Sequence, residues 1–145
     1  MFANSTLSRR AALLVLASAV VGGCGGMGLL QDVDSLMKEG QRLYAEKKYD
    51  EAIDKFTDVV TRDFKHWPAY VWLARSYVAK GRWSDAIANA RKAFDLAPSG
   101  QEAVKVLAEA LLGGATDAMR RGQLAESIPL FREYLKFEGN NTSAC

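Results

Sequence analysis

One apolar pattern recurs three times along the chain at the spacing of an α-helical face. Apolar or small residues stand at offsets 0, 3, 4, 7, 10 and 11 from Tyr49, from Trp83 and from Leu124. The first two copies begin 34 residues apart and the last two 41 apart, which is the same period plus seven. A fixed period of this length indicates one helical unit stacked on copies of itself, since no single unit buries its apolar face alone. The pattern therefore predicts an all-α stack.

A second apolar stripe precedes each of the first two copies, so the repeating unit is predicted to be a hairpin of two helices. Gly40 and Ala74 hold equivalent places in these stripes, where a small side chain lets two helices approach closely. Pro68 opens the second hairpin at the first helical position, where its missing N–H is harmless. Ser99 and Glu102 have the spacing of a capping box, which predicts the start of the next helix.

The third interval is longer by seven residues, which correspond to about two turns of helix. Seven residues rotate the chain by roughly 700°, so an insertion of this length returns the apolar side chains to the same face within about 20°. The sequence predicts one helix from about Gly100 to Arg121, two turns longer than its counterparts. A break at Gly113-Gly114 is the alternative, since each glycine costs up to about 1 kcal/mol in a helix.

The hairpins resemble the tetratricopeptide repeat, which places aromatic, small and proline residues at fixed positions of a 34-residue unit. The second hairpin carries the matching residues Tyr70, Leu73, Ala74, Tyr77, Gly81, Trp83, Ala86, Ala93 and Pro98. The first departs from the pattern at Glu39, Val59 and Phe64. The resemblance implies an all-α helical-hairpin solenoid of about three repeats and six helices, with an elongated fifth helix. Its units are repeat 1 (33–66), repeat 2 (67–100) and repeat 3 (101–141).

Residues 1–23 have the layout of a secretory signal, with a basic start at Arg9 and Arg10 and an apolar run from 11 to 21. Eleven helical residues span roughly 16 Å, which is too short to cross a membrane. The residues Val21-Gly22-Gly23-Cys24 resemble the bacterial lipobox. This resemblance implies that the signal is removed, that Cys24 is lipidated, and that residues 24–32 form a glycine-rich tether. It also implies a bacterial envelope protein facing the periplasm. The residue after the cysteine favours the outer membrane, and the general and twin-arginine export routes stay open.

Charge and reactive residues argue against several classes of function. Without Arg9 and Arg10 the chain has 17 basic and 17 acidic residues, so it lacks the basic footprint of a nucleic-acid-binding protein. His66 is the only histidine, and the helical register assembles neither a metal site nor a nucleophilic constellation. We therefore expect no cofactor, no metal and no enzymatic activity. Cys145, in a short tail of residues 142–145, either pairs between molecules or has no role.

In the tetratricopeptide family the first helix of each hairpin lines a concave groove that holds a peptide or a partner helix. The resemblance carries these positions onto Met37, Gln41, Tyr44, Val71, Trp72, Arg75, Val78, Thr116 and Met119. Tyr44 and Trp72 are the strongest candidates, because aromatic side chains dominate binding energy at interfaces. The alternative for both is packing between repeats.

The last helix is apolar around more than one face. We expect it to leave an uncapped end-of-stack surface formed by Leu130, Tyr134 and Phe137. A second subunit, a membrane protein or the elongated fifth helix would cover this surface, and we favour a partner. Together the features predict a lipid-anchored periplasmic adaptor that binds proteins and assists assembly of an envelope complex (a secretin or pilus, outer-membrane protein insertion or polysaccharide export). The alternative is a structural homo-oligomer that assembles through the uncapped last repeat.

Overall fold

The computed structural model describes residues 32–141, and their side chains as far as residue 137. Within this part the chain forms six α-helices and no β-strand, which confirms the all-α prediction. They are α1 (Val33–Ala45), α2 (Tyr49–Arg62), α3 (Trp67–Ala79), α4 (Trp83–Leu96), α5 (Gln101–Arg120) and α6 (Leu124–Asn141). The predicted signal peptide, Cys24, all but the end of the tether, and the tail with Cys145 lie outside the described residues.

Consecutive helices pair as three hairpins, α1–α2, α3–α4 and α5–α6, and each hairpin packs on the next. The turns of the three hairpins share one geometry. In each, a residue with positive φ follows the first helix: Lys47 (61°), Gly81 (68°) and Gly122 (78°). The amide of that residue donates to a carbonyl three residues earlier, and the following amide donates to one five residues earlier. The repeated turn therefore closes each hairpin in the same way.

The helix starts differ from one hairpin to the next. Asp32 caps α1 by accepting a hydrogen bond from the Ser35 amide at 2.6 Å. In α3, where Pro68 is the second helical residue, the cap is the Nδ1 atom of His66, which accepts from the Ala69 amide at 3.2 Å.

The predicted capping box at the start of α5 is wrong. Gly100 holds the N-cap position without a side-chain hydrogen bond. The carboxylate of Glu102 instead accepts from the guanidinium of Arg75 in α3. A charge-assisted bond to arginine is stronger than a bond to a neutral backbone amide, so the side chain turns toward the preceding hairpin.

The elongated fifth helix is confirmed. α5 has 20 residues, seven more than the 13 of α1 and of α3. It runs through Gly113 and Gly114 without interruption, so the predicted alternative of a break there is wrong. A Cβ atom at Gly113 would clash with the Trp83 ring, and one at Gly114 would lie 3.0 Å from Cδ1 of Ile87. The two glycines therefore let α5 approach α4 closely rather than end the helix.

The core consists of two apolar clusters. One lies between α1, α2 and the first half of α3, around the fully buried Phe56. The other joins α3, α4 and α5, with Leu107 and Leu111 fully buried, and receives partly buried side chains of α6. Small residues dominate the second cluster, because alanine at the crossing points brings the helices close together. No helix in the described part is long and apolar enough to cross a membrane.

Candidate protein-binding surfaces

The first helices of the hairpins form the inner row of the stack. The backbone of α3 lies close to those of α1 and α5, whereas the backbones of α2, α4 and α6 stay farther apart, and α4 meets α6 through side chains such as Phe94 and Phe137. In a curved stack of hairpins, the helices whose backbones lie close together form the inner side, and the helices whose backbones are farther apart form the outer side. The residues predicted for the groove belong to this inner row.

Two residues of the predicted groove do not present their side chains at the surface. Met37 and Val71 are buried, with 8% and 3% of their surface exposed. Both complete core clusters, because their stripes in α1 and α3 face the second helices of the stack. The remaining positions are accessible. The half-buried ones are Gln41, Tyr44, Trp72, Arg75 and Val78, and the exposed ones are Thr116 and Met119.

Tyr44 and Trp72 belong to an aromatic cluster that also contains Tyr49 and Phe56. The rings of Trp72 and Phe56 stack at 5.9 Å with an angle of 18° between them. Tyr44 meets the rings of Trp72 and Tyr49 edge-on, both at 5.3 Å. Burial raises the pKa of the Tyr44 hydroxyl above its usual value of 10.0, and the neighbouring Tyr49 raises it further. The alternative interpretation, packing between repeats, therefore holds for both residues, although each keeps part of its ring accessible.

The accessible side of Trp72 borders a cleft of about 270 Å³, which we call the Trp72 cleft. It is lined by Trp67, Pro68, Val71, Trp72, Arg75 and Glu102. The guanidinium of Arg75 lies over the Trp72 ring, 5.0 Å from its centroid, and pairs with Glu102 from α5. The cleft is smaller than the roughly 300–1,000 Å³ typical of small-molecule sites, and its size suits one inserted side chain.

The residues predicted for the end-of-stack surface are half-buried rather than exposed. Leu130, Tyr134 and Phe137 pack against the second core cluster. Phe137, for example, meets Phe94 of α4 edge-on at 5.3 Å. The buried face of α6 is centred on the small Ser127 (2% exposed), so these three flanking residues turn inward.

A different apolar row of α6 faces outward. Leu124, Ile128 and Leu135 are 58%, 54% and 63% exposed. The signal that would have found this row is the period itself. Counting back 41 residues reaches Trp83, Ile87 and Phe94, whose side chains face α5 and α6, the helices of the next hairpin.

The groups able to carry chemistry are dispersed over the surface. Among residues 32–141 no three His, Cys, Asp or Glu side chains converge closely enough to hold a metal ion. The imidazole of His66 is used in the cap of α3. Some carboxylates of the described part form ion pairs between helices, as Glu133 of α6 does with Arg91 of α4 at 3.0 Å. This hydrogen bond raises the pKa of the Arg91 guanidinium above its usual value.

Two family models agree with this architecture. Both describe the tetratricopeptide repeat, and they match residues 43–88 and 71–137. The chain contains tetratricopeptide repeats. Repeats of this family bind protein or peptide partners and are typically not enzymes, which gives the inner row and the end of the stack their interest as binding surfaces.

Solved structures share the fold of this tetratricopeptide stack. MamA MSR-1 superposes with a TM-score of 0.56 at 17% identity, over 76% of this chain and 59% of that chain. The Sgt2 TPR domain from Aspergillus fumigatus gives 0.56 at 23% identity, over 74% and 67%. MamA AMB-1 gives 0.55 at 18% identity, over 75% and 56%. The chain thus spans less than two thirds of the two MamA chains, and at these identities the likeness concerns the fold alone. No curated protein matches the chain significantly.

Proposed function

We propose that this tetratricopeptide protein is a lipid-anchored adaptor of the bacterial envelope. Lipid on Cys24 holds it at the membrane, with outer-membrane sorting favoured, and the repeats face the periplasm. There the inner row binds a segment of a partner protein and assists assembly of an envelope complex, such as a secretin or pilus, outer-membrane protein insertion or polysaccharide export. The lipobox-like residues 21–24 support the anchor.

The Trp72 cleft is the observation that carries the binding proposal. Arg75 is fixed between the Trp72 ring and Glu102, so the cleft keeps its shape without a ligand. A pre-formed aromatic cleft loses little conformational entropy when a side chain enters it. Gln41 and Thr116, elsewhere on the inner row, are neutral and polar. This lining suits a peptide or helix with an apolar anchor residue rather than an acidic C-terminus, which would require paired cations.

Site-specific photocrosslinking in cells tests the groove. A photoreactive residue at Gln41 or Thr116 is placed on the inner row without removing a core contact. Matched controls at Asp54 in α2 and Lys92 in α4 lie at exposed positions of the outer row. The proposal expects one envelope protein to be captured from both inner positions and from neither outer position. Equal capture from inner and outer positions would contradict it.

A charge variant tests the cleft itself. Truncation of Trp72 would remove its stacking on Phe56 and destabilise the fold, so it does not separate binding from folding. Arg75→Gln removes the cation above the ring and keeps a shorter, neutral polar side chain. We expect it to reduce capture from Gln41 by about fivefold or more, while the thermal midpoint stays within a few degrees. Unchanged capture would place the binding site elsewhere.

The anchor is tested by cell fractionation and by the mass of the N-terminal peptide. Cys24→Ser removes the acceptor thiol and is expected to release the protein into the soluble periplasmic fraction. Cys145→Ser is the matched control, since it removes the only other cysteine and is expected to leave the protein in membranes. A Cys24→Ser protein that stays in the membrane fraction would contradict lipid anchoring.

A further inference from the structure

Exposed apolar side chains are concentrated on the last hairpin. Six large apolar residues are exposed in the described part, and five of them lie on α5 and α6. We call these five the end face: Leu112, Met119, Leu124, Ile128 and Leu135. The sixth, Phe64, is in the loop between α2 and α3. A concentration of this kind marks an interaction surface rather than scattered surface residues.

The repeat period shows which contact the end face lacks. Residues 41 positions earlier are its counterparts in the second hairpin. Ile128 corresponds to Ile87 and Leu112 to Val71, and both counterparts are buried in the cluster that α3 and α4 form with α5. Leu124 corresponds to Trp83, whose ring lies against Gly113 of α5. The end face therefore repeats a helix-binding interface of the same chain, and no helix of the described part fills it.

The charges beside the end face indicate the sign of its occupant. Arg132 of α6 corresponds to Arg91 of α4, which binds Glu133 of the next hairpin. Arg132 itself is exposed, as are Lys105 on α5 and Lys136 on α6. None of these three cations forms an ion pair with another described residue. Glu133 belongs to the second helix of its hairpin, so an occupant in the place of the first helix would not reproduce that pair. Carboxylates along the edge of such a helix would still be attracted to the three unpaired cations.

A second copy stacked head to tail does not fit the end face. In the second hairpin, Ala69 and Leu73 of α3 pack onto the first hairpin and are buried there. Their counterparts in α1, 34 residues earlier, are the polar Ser35 and Glu39. Docking α1 on the end face would bury Ser35 and the Glu39 carboxylate, which pairs with Lys55, against leucine and isoleucine, and burying such polar groups costs free energy.

We propose that the end face binds an amphipathic α-helix of another protein, with acidic residues beside its apolar side. The helix takes the place of the first helix of a following hairpin and runs antiparallel to α6. Its apolar side covers Leu112, Ile128 and Leu135, and its carboxylates face Arg132 and the neighbouring lysines. None of the residues that line the Trp72 cleft belongs to the end face, whereas Met119 belongs to the end face and is also one of the residues predicted for the groove.

Three synthetic helical peptides test the proposal by fluorescence anisotropy with the full chain in mild detergent. The peptides have the 20-residue length of α5 and share one apolar face, flanked by glutamate, glutamine or lysine. The acidic peptide is expected to bind about tenfold more tightly than the lysine peptide at low salt. The difference is expected to shrink as salt screens the charges. Equal affinity for the three peptides, or no binding of the acidic one, overturns the proposal.

Matched variants locate the binding. Ile128→Glu and Leu135→Glu place a charge in the end face and are expected to lower its affinity for the acidic peptide by about tenfold or more. Arg132→Glu is expected to remove most of the preference for the acidic peptide. Phe64→Glu, the control, changes an equally exposed apolar residue outside the end face and is expected to change nothing. Loss of binding in Phe64→Glu overturns the assignment. Sedimentation of the full chain completes the test, because a dimer that Ile128→Glu dissociates would make a second copy the occupant.

Discussion

Gly40 is a position of the first hairpin at which any side chain would collide with a buried ring. A Cβ atom there would lie 2.6 Å from Cε1 of Phe56, and that ring is fully buried and stacked on Trp72. Gly40→Ala is therefore expected to lower the free energy of unfolding by about 1–3 kcal/mol, measured by urea denaturation. Helix propensity alone predicts the opposite sign, a gain of up to about 1 kcal/mol. A stabilised variant would show that the two helices of the hairpin move apart at little cost. Combining Gly40→Ala with Phe56→Leu should reduce the loss of stability caused by Gly40→Ala, because the ring that the new Cβ atom would meet is gone.

Lys47 holds a backbone conformation that its side chain disfavours. Its φ of 61° places it in the left-handed region, where the equivalent turn residues of the other hairpins are glycines. Lys47→Gly is expected to raise the free energy of unfolding by up to about 1 kcal/mol, since the steric cost of the Cβ atom disappears. Lys48→Gly, at a φ of −85°, is the control and should not stabilise. Equal effects of the two variants would contradict the interpretation.

At the scale of helices, the two glycines of α5 distinguish the effect of close packing on stability from the effect of helix propensity. The propensity gain is the same at both positions, but the packing around them differs. Gly113 faces the rigid Trp83 ring, whereas the nearest atom to Gly114 is the flexible end of Ile87. Gly113→Ala is expected to cost about 1–3 kcal/mol, and Gly114→Ala clearly less. Thermal or chemical unfolding measures both. The decisive control is Trp83→Leu, in which the cost of Gly113→Ala should largely vanish; an unchanged cost would mean that the ring is not the obstacle.

The helices also show what the sequence could and could not predict. The length of α5 followed from arithmetic, because seven residues preserve a helical face. The buried face of α6 did not follow, since two apolar stripes share this helix and the decisive inward residue is the small, polar Ser127. That the first helices of the hairpins line one side of the stack was predicted from the family pattern. The burial of Met37 and Val71 was not, because a family pattern does not state how deep each position lies. Glu102 was misassigned because its partner is distant in sequence.

For the whole molecule, the two core clusters predict that a truncation in one cluster destabilises mainly the helices around that cluster. Phe56→Ala removes the largest fully buried side chain of the first cluster and is expected to cost about 3–5 kcal/mol. Leu107→Ala in the second is expected to cost about 2–5 kcal/mol. Hydrogen exchange measured by mass spectrometry should show faster exchange mainly in α1 and α2 for the first variant. For the second variant it should show faster exchange mainly in α4 to α6, because repeats stabilise their neighbours. Uniform acceleration in both variants would indicate one cooperative unit.

The contrast between α1 and α6 gives the stack a direction in which its repeat number can change. A duplicated hairpin that follows α6 would meet Ile128 and Leu135, which already have the side chains for docking it. A hairpin that precedes α1 would meet Ser35 and Glu39, and several substitutions would be needed before it could pack there. Lengthening by duplication is thus a single genetic step at one end of this fold and a multistep change at the other.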